Sequence, residues 1–313
     1  MKSVVTVTLN PAIDKTVFIP KLVVGGLNRI EEGCRLDPGG KGINVAKVLR
    51  QFGVNVTATG FIAGNQGEKL LKAVKSEGIT VDFLQVQGET RTNLKIVDQS
   101  THVTTEINDI GFHVTQADID RLTEKFKGLL SNCDCVVLGG SYPTGVSPLI
   151  YQHYIELAND YGVKVILDAE GEALAEGIKA KPFAIKPNLF ELETLTGRSL
   201  ETEKDIVDTG FQLIKEGIKF VVISLGHEGA IFMNEHHAYR VLPFPIEPKS
   251  TVGAGDSMVG VIANGLLDEL PLEQLAKWAT TAGTITASKA GTKVCTLQEV
   301  KHALERVQLS TIV

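Results

Sequence analysis

Short apolar runs recur along the chain, with amphipathic stretches of helical length between them. The runs are rich in valine, isoleucine and leucine and are bounded by glycine, asparagine or proline, which is typical of buried strands. They cover residues 4–9, 54–61, 136–139, 163–167, 183–185 and 220–225. Helical spacing of apolar residues marks 42–52, 67–77, 117–130, 147–161 and 204–216. The alternation predicts an α/β fold with a mostly parallel central sheet and helices on both faces.

Two further segments, 15–32 and 92–108, alternate polar and apolar residues instead. In the second segment the alternation runs through 93–97 and resumes over 103–107, which indicates a hairpin. We predict a small antiparallel β lid with one solvated face; a plain edge hairpin is the alternative. The predicted division gives 1–10, 33–85 and 110–313 to an α/β core, and 11–32 and 86–109 to the lid.

Charge and composition exclude several classes of function. The 313 residues carry a net charge of −6 without a cluster of lysine and arginine, so we expect no nucleic-acid partner. The sequence contains no apolar run of membrane-spanning length and no signal peptide, and its four cysteines show no C-x-x-C spacing. We therefore expect a cytoplasmic protein with reduced thiols and no membrane partner.

A glycine-rich turn at 250–258 carries the clearest chemical signal. Apolar residues at helical spacing follow it, so the backbone amides of Gly253, Ala254, Gly255 and Asp256 lie at a helix N-terminus, where unpaired N–H groups attract anions. The sequence fits neither the dinucleotide fingerprint nor the Walker A loop. Asp256 is predicted to act as a general base beside a phosphoryl group; helix capping is the alternative.

A second glycine turn, Gly39-Gly40-Lys41, also opens onto a helix. Small residues let a polar ligand lie against the backbone, and Lys41 and Asn44 fall on the first helical turn. Lysine there can neutralise a phosphate, and asparagine can bond sugar hydroxyls. The alternative is an ordinary turn with a solvated lysine.

Two further candidates are Asp14 and Arg91. Asp14 follows the first strand at its carboxyl end, the edge where open α/β sheets place ligands, and can accept two hydroxyls. Arg91 begins the second lid segment and can clamp a phosphate with two parallel hydrogen bonds. Surface solvation explains Arg91 equally well at this level.

Two short segments that leave later strands complete the candidates. Asn188 and Glu191 are three residues apart, so in a helix they share a face and can hold Mg²⁺, directly or through water. The segment from Ser224 through Gly226 to Gly229 forms a tight turn that can border an adenine and a ribose.

Taken together and in order, these segments resemble the ribokinase-like sugar kinase family, in its phosphofructokinase B branch. The likeness extends from end to end, and its two signatures lie at 39–46 and 250–257. The resemblance implies an α/β core that binds nucleotide and substrate, a β lid, ATP as co-substrate with Mg²⁺, and Asp256 as the catalytic base. Lids in the family often pair between subunits, which implies a homodimer through the lid.

The resemblance also assigns the remaining candidate residues to the two ligands. It implies that Asp14, Gly39, Gly40, Lys41, Asn44 and Arg91 face a sugar phosphate. It implies that Lys186, Asn188, Ser224, Gly226, Gly229 and Thr251 border the nucleotide. Glu191 is then the candidate for Mg²⁺.

Within the branch, residues 90–95 and 250–259 are most similar to bacterial 1-phosphofructokinases, which implies that fructose 1-phosphate is converted to fructose 1,6-bisphosphate. Tagatose-6-phosphate kinase and 6-phosphofructokinase activities are alternatives, and a sugar-phosphate sensor without catalysis is an alternative from another class. Tyr142 stands where the family usually has leucine, and Ala169-Glu170 where it usually has a serine pair. Both differences affect the expected sugar pocket more than the expected reaction.

Overall fold

The protein consists of a ten-stranded sheet covered by helices and a separate four-stranded sheet, as seen in a computed structural model that describes residues 2–30, 33–101 and 103–313. Residues 31, 32 and 102 of the predicted lid lie outside the described residues. The strands are β1 (Ser3–Thr8), β2 (Ala12–Ile19), β3 (Cys34–Gly39), β4 (Asn55–Ala63), β5 (Thr80–Val86), β6 (Arg91–Asp98), β7 (Val103–Ile107), β8 (Cys135–Gly139), β9 (Lys164–Asp168), β10 (Ala184–Ile185), β11 (Phe220–Ser224), β12 (Ala230–Met233), β13 (Ala238–Leu242) and β14 (Gln308–Thr311).

Helices connect most of the strands of the large sheet. They are α1 (Lys41–Gln51), α2 (Gly64–Ser76), α3 (Gln116–Leu130), α4 (Ile150–Asp160), α5 (Gly171–Gly177), α6 (Leu189–Thr196), α7 (Glu203–Lys215), α8 (Ala254–Leu267), α9 (Leu272–Ala287) and α10 (Leu297–Ala303). The prediction of strand and helix alternating along the chain is confirmed.

The large sheet has the order β14-β13-β12-β11-β10-β9-β8-β1-β4-β5. Pairing is parallel from β11 through to β5 and antiparallel from β11 to β14, so the predicted mostly parallel sheet is confirmed. Because parallel strands share a direction, the carboxyl ends of β1, β8, β9, β10 and β11 lie at the same edge of the sheet. This edge is where open α/β sheets bind ligands.

Both faces of the large sheet are buried, which explains the continuous apolar runs. Val4 of β1 belongs to the cluster that also contains α1, α8 and α9, whereas Val5 and Val7 belong to the cluster under α3, α4 and α7. Phe126 and Tyr154 stack on that second face with ring centroids 4.6 Å apart. Burial of the Phe126 side chain stabilises the fold by about 1.5–3 kcal/mol.

The small sheet has the order β3-β2-β6-β7. Its outer pairs are antiparallel, as expected, and β6 and β7 form the predicted hairpin. The central pair of β2 and β6 is parallel, so the prediction of an antiparallel lid was wrong at this pair. The reason is that β2 follows β1 and β6 follows β5 after short connections, so both strands leave the same edge of the large sheet in one direction.

Strand β3 also pairs in the small sheet, although the predicted boundary at residue 33 gave it to the core. Its side chains alternate in burial and its sequence contains Pro38 and Gly39, so it lacks the apolar run that marks a core strand. The division of the chain into a core and a closing lid stays a prediction.

Candidate active site

The glycine-rich turn begins helix α8 as the sequence predicts. Gly253 is the residue preceding the helix and has a φ of 79°, a left-handed conformation that favours glycine. A Cβ atom on Gly255 would lie 3.3 Å from Lys186 Nζ, so the missing side chain lets this cation approach the turn. The Ala254 amide donates to the Thr251 carbonyl at 3.3 Å. Lys186 and the positive end of helix α8 therefore both favour an anion at this turn.

Asp256 lies in the first turn of α8 but does not cap it. Its Oδ2 accepts a hydrogen bond from Asn44 Nδ2 at 2.8 Å, and the residue is 8% exposed. Burial, together with repulsion from Asp168, raises the pKa of Asp256 from an ordinary 3.8 to about 6, although Lys41, Asn44 and Lys186 oppose the rise. A carboxyl with this pKa is ionised at neutral pH and accepts a proton readily.

Two lysines share one buried carboxylate close to Asp256. Asp168 Oδ1 lies 3.3 Å from Lys41 Nζ and 3.4 Å from Lys186 Nζ, and Asp168 is 2% exposed. Burial opposes ionisation of Asp168, but the two ammonium groups outweigh it and lower its pKa. Burial likewise opposes the charge on Lys41, yet Asp168, Asp256 and Glu191 together raise its pKa. Lys41 thus stays cationic beside the Gly253–Asp256 turn.

A cavity of about 410 Å³ opens in front of Asp256, a size within the range of roughly 300–1,000 Å³ found for small-molecule sites. We call it the Asp256 cavity. Six residues predicted from the sequence line it, namely Asp14, Gly40, Lys41, Asn44, Arg91 and Asp256. Gly39 lies at its edge, where a Cβ atom would be 2.9 Å from the Asp14 carboxyl carbon. The structure therefore brings together the glycine turn of α1, the start of α8 and the small sheet.

Arg91 is held in place by the edge of the large sheet. Its Nη1 donates to the Asp109 carbonyl at 2.9 Å, and its Nη2 donates to the Asn10 carbonyl at 3.0 Å and to Ser141 Oγ at 3.1 Å. Its Nε is buried and has no partner among the described residues. Simple surface solvation does not describe this arginine, because its guanidinium is oriented and lines the cavity.

The small sheet supplies one wall of the Asp256 cavity. Asp14 Oδ1 accepts from Asn93 Nδ2 at 3.0 Å, and Asp14 Oδ2 accepts from Lys95 Nζ at 3.1 Å. Each carboxylate oxygen keeps a free lone pair, so Asp14 can still accept two hydroxyl donors.

The residues predicted to border a nucleotide form a different group. Asn188, Ser224 and Gly226 line a second cavity of about 470 Å³ together with residues of α6 and α7, and not the Asp256 cavity. Gly229, with a φ of 90°, ends the turn that begins at Gly226. Thr251 lies elsewhere, in the glycine-rich turn, where its carbonyl accepts from the Ala254 amide.

Asn188 and Glu191 form a capping box at the start of α6. Asn188 Oδ1 accepts from the Glu191 amide and Glu191 Oε2 accepts from the Asn188 amide, both at 2.8 Å. Burial raises the pKa of Glu191, partly countered by the Asn188 hydrogen bond and by Lys41. Within 2–30, 33–101 and 103–313, no three His, Cys, Asp or Glu side chains cluster as a metal cage. A magnesium role for Glu191 stays a prediction.

Comparison with known proteins places this chain in a family. The model of the pfkB family carbohydrate kinases matches residues 7–299. The chain belongs to this family. As a carbohydrate kinase it phosphorylates a sugar or sugar phosphate, with ATP implied as the co-substrate. The resemblance drawn from the two glycine signatures is therefore confirmed.

Individual relatives span nearly the whole carbohydrate kinase. It is 37% identical to the 1-phosphofructokinase of Escherichia coli (strain K12) over 308 residues, 98% of each chain. It is 34% identical to the 1-phosphofructokinase of Vibrio cholerae over 311 residues, 99% of this chain and 98% of the relative. The solved phosphofructokinase-2 of Escherichia coli in complex with potassium superposes with a TM-score of 0.92 at 29% identity, covering 97% of this chain and 99% of that one.

Three residues of the candidate site were not predicted from the sequence. Asp168 ends β9 at the edge that had identified Asp14, so the same rule would have found it. Asn93 and Lys95 alternate with Arg91 along β6, and a period of two places all three on one face. Among the described helices, none has the length and apolar character needed to span a bilayer.

Proposed function

We propose that the protein transfers the γ-phosphoryl group of ATP to the 6-hydroxyl of fructose 1-phosphate, giving fructose 1,6-bisphosphate. The observation that best supports this reaction is the Asp256 carboxylate. It is buried, it does not cap helix α8, and it lines the Asp256 cavity. The choice of sugar rests on the relatives named 1-phosphofructokinase at 34–37% identity over almost the full chain.

Asp256 acts as the general base. It accepts the proton of the attacking hydroxyl while that oxygen bonds to the γ-phosphorus and ADP leaves. Asn44 fixes the carboxylate through the 2.8 Å hydrogen bond to Oδ2. The amides of Gly253, Gly255 and Asp256 stabilise the negative charge that develops on the phosphoryl oxygens, and the Ala254 amide joins them when it leaves the Thr251 carbonyl.

Lys41 and Lys186 supply positive charge at the point of transfer. Both stand within 3.4 Å of Asp168, which keeps them oriented without removing their charge. An anionic phosphoryl group that enters the site meets two ammonium groups, with the Asp168 carboxylate between them and the Asp256 carboxylate close by. Their attraction grows as water is excluded, because the local dielectric falls.

The small sheet holds the acceptor. Asp14 and Gly39 form the surface against which the sugar hydroxyls lie, with Gly40 beside them, and Arg91 binds the phosphate already on the sugar through its remaining N–H groups. When the lid segments 11–32 and 86–109 close over the core, they exclude water and suppress ATP hydrolysis.

The nucleotide lies along the edge formed by β10 and β11. Lys186, Thr251 and the Ser224–Gly229 turn border it, with Asn188 at the start of α6. Glu191 would hold Mg²⁺ through water, and the ion when bound neutralises charge on the β- and γ-phosphates.

The outer face of the small sheet supports a homodimer. Leu36, Lys15, Leu94 and Ile107 are direct cross-strand partners and so share the face opposite Asp14. Leu36 and Ile107 are 58% and 57% exposed, an unusual exposure for apolar residues in one row. A structure of the related phosphofructokinase-2 is described as tetrameric.

Release of ADP over a panel of sugar phosphates tests the proposed reaction and names the acceptor. We expect the highest kcat/KM with fructose 1-phosphate and a loss of at least ~10²-fold in kcat for Asp256→Asn, the low end for removal of a general base. A preference for tagatose 6-phosphate or fructose 6-phosphate would reject the sugar but keep the reaction. Tight binding of a sugar phosphate with no ADP release would indicate a sensor and reject both.

A further inference from the structure

Lys95 is a buried lysine on strand β6 of the small sheet. It is 9% exposed, and its Nζ donates to Asp14 Oδ2 at 3.1 Å. Glu106 stands directly opposite on β7, also lines the Asp256 cavity and is exposed, yet Lys95 pairs with the buried Asp14 instead. A buried ion pair adds little net stability over apolar residues of the same size. A functional reason for the pair is therefore needed.

Lys95 and Asn93 together leave Asp14 a single orientation. Asn93 holds Oδ1 and Lys95 holds Oδ2, so each carboxylate oxygen already has one donor. The Asn93 Oδ1 atom is buried and has no hydrogen-bond partner among the described residues. The result is a row of hydrogen-bond acceptors along the small sheet, made of two lone pairs on Asp14 and the unpaired amide oxygen of Asn93. Such a row fits adjacent hydroxyl groups of a polyol.

We propose that Lys95 is a positioning residue for the sugar, acting through Asp14 to set the acceptor row that fixes the ketose hydroxyls. The inference rests on the proposed function only in that the bound molecule is a sugar phosphate. In this role Lys95 does not contact the phosphoryl group that is transferred. Its loss should weaken sugar binding while leaving Asp256, the glycine-rich turn and the nucleotide residues in place.

Steady-state kinetics on Lys95→Met tests this role, using whichever sugar phosphate of the panel gives the fastest ADP release. We expect the KM for that sugar to rise at least tenfold, with kcat within threefold of wild type and the KM for ATP unchanged. Lys95→Arg keeps a charged donor and should restore most of the affinity. Lys72→Met removes a solvent-exposed lysine from α2 and should change neither constant.

A double-mutant cycle separates action through Asp14 from direct contact with the sugar phosphate. In an Asp14→Asn background, Lys95→Met should change KM by less than threefold, because the group it positions is already altered. A full tenfold effect in that background would overturn the proposal, as would an unchanged KM in Lys95→Met itself. If Lys95→Met does not fold, the same cycle with Lys95→Gln, which keeps a neutral donor, decides the question. Absence of phosphotransfer to every sugar by the wild-type protein would instead reject the proposed function.

Discussion

Replacement of Asp256 by asparagine should make the protein more stable and less active at once. The carboxyl has a pKa of about 6 in the folded protein against an ordinary 3.8, because burial and Asp168 disfavour its charge. Ionisation in the folded state therefore costs about 3 kcal/mol. Asparagine avoids that cost and can still accept the hydrogen bond from Asn44. For a chain of this length, about 3 kcal/mol corresponds to a rise in Tm of roughly 4–5 °C.

The expected difference in Tm between the wild type and Asp256→Asn depends on pH. A carboxyl whose folded pKa lies above its unfolded value favours folding below pH 3.8, and this contribution is lost as pH rises through about 6. The wild type and Asp256→Asn should therefore have similar Tm values near pH 4. Their difference should grow between pH 4 and pH 7 and then remain constant.

Differential scanning fluorimetry from pH 4 to pH 8, without nucleotide or sugar, measures this difference. Asp208→Asn on the exposed face of α7 is the matched control, and its Tm should stay within about 1 °C of wild type, as for most surface substitutions. A lower Tm for Asp256→Asn at pH 7 would show that the site stabilises the charged carboxylate, and the reasoning about a destabilised base would fail. The trade of stability against activity is expected where a functional group is held in an unfavourable environment.

Three other predictions follow from the same geometry. The kcat/KM for the sugar should fall about tenfold per pH unit below pH 6, since protonated Asp256 cannot act as a base; a flat profile down to pH 5 would contradict the assignment. Gly253→Ala should lower stability by about 1–2 kcal/mol, because alanine must adopt the φ of 79°, and urea denaturation that gives an unchanged midpoint would argue against this strain. Ile107→Asp should convert a dimer to a monomer in sedimentation velocity; a monomeric wild type, or a variant that stays dimeric, would exclude the outer face of the small sheet as the interface.

The central part of the fold was predictable because both faces of its strands are buried. Parallel strands such as β1 and β8 appear as unbroken apolar runs, and their helices keep regular spacing. Strand β3 gave no such signal, since five of its six residues are only partly buried or exposed. The parallel pairing of β2 with β6 depends on which edge of the large sheet each strand leaves, and no local pattern records that.

The residues of the candidate site also differ in how far the sequence predicts their positions. Asp256 and the amides around it were predictable because one continuous segment contains the turn, the helix start and the carboxylate. The pair of Lys95 and Asp14 was not predictable, since its members are 81 positions apart and only the small sheet brings them together. Asn188 and Glu191 illustrate the reverse, because their spacing of three fits a capping box as well as a metal site, and the structure shows the capping box.

The attachment of the small sheet has a consequence for how such an enzyme can be redesigned. Asp14, Asn93 and Lys95 stand on β2 and β6, whereas Asp256 and Lys186 stand on the large-sheet body. The groups proposed to recognise the acceptor and those proposed to deliver the phosphoryl group thus lie on two separate sheets, and the chain passes between the sheets after β1, β3, β5 and β7. Grafting the two inner strands from a kinase of different selectivity should retarget the enzyme while its handling of ATP is retained.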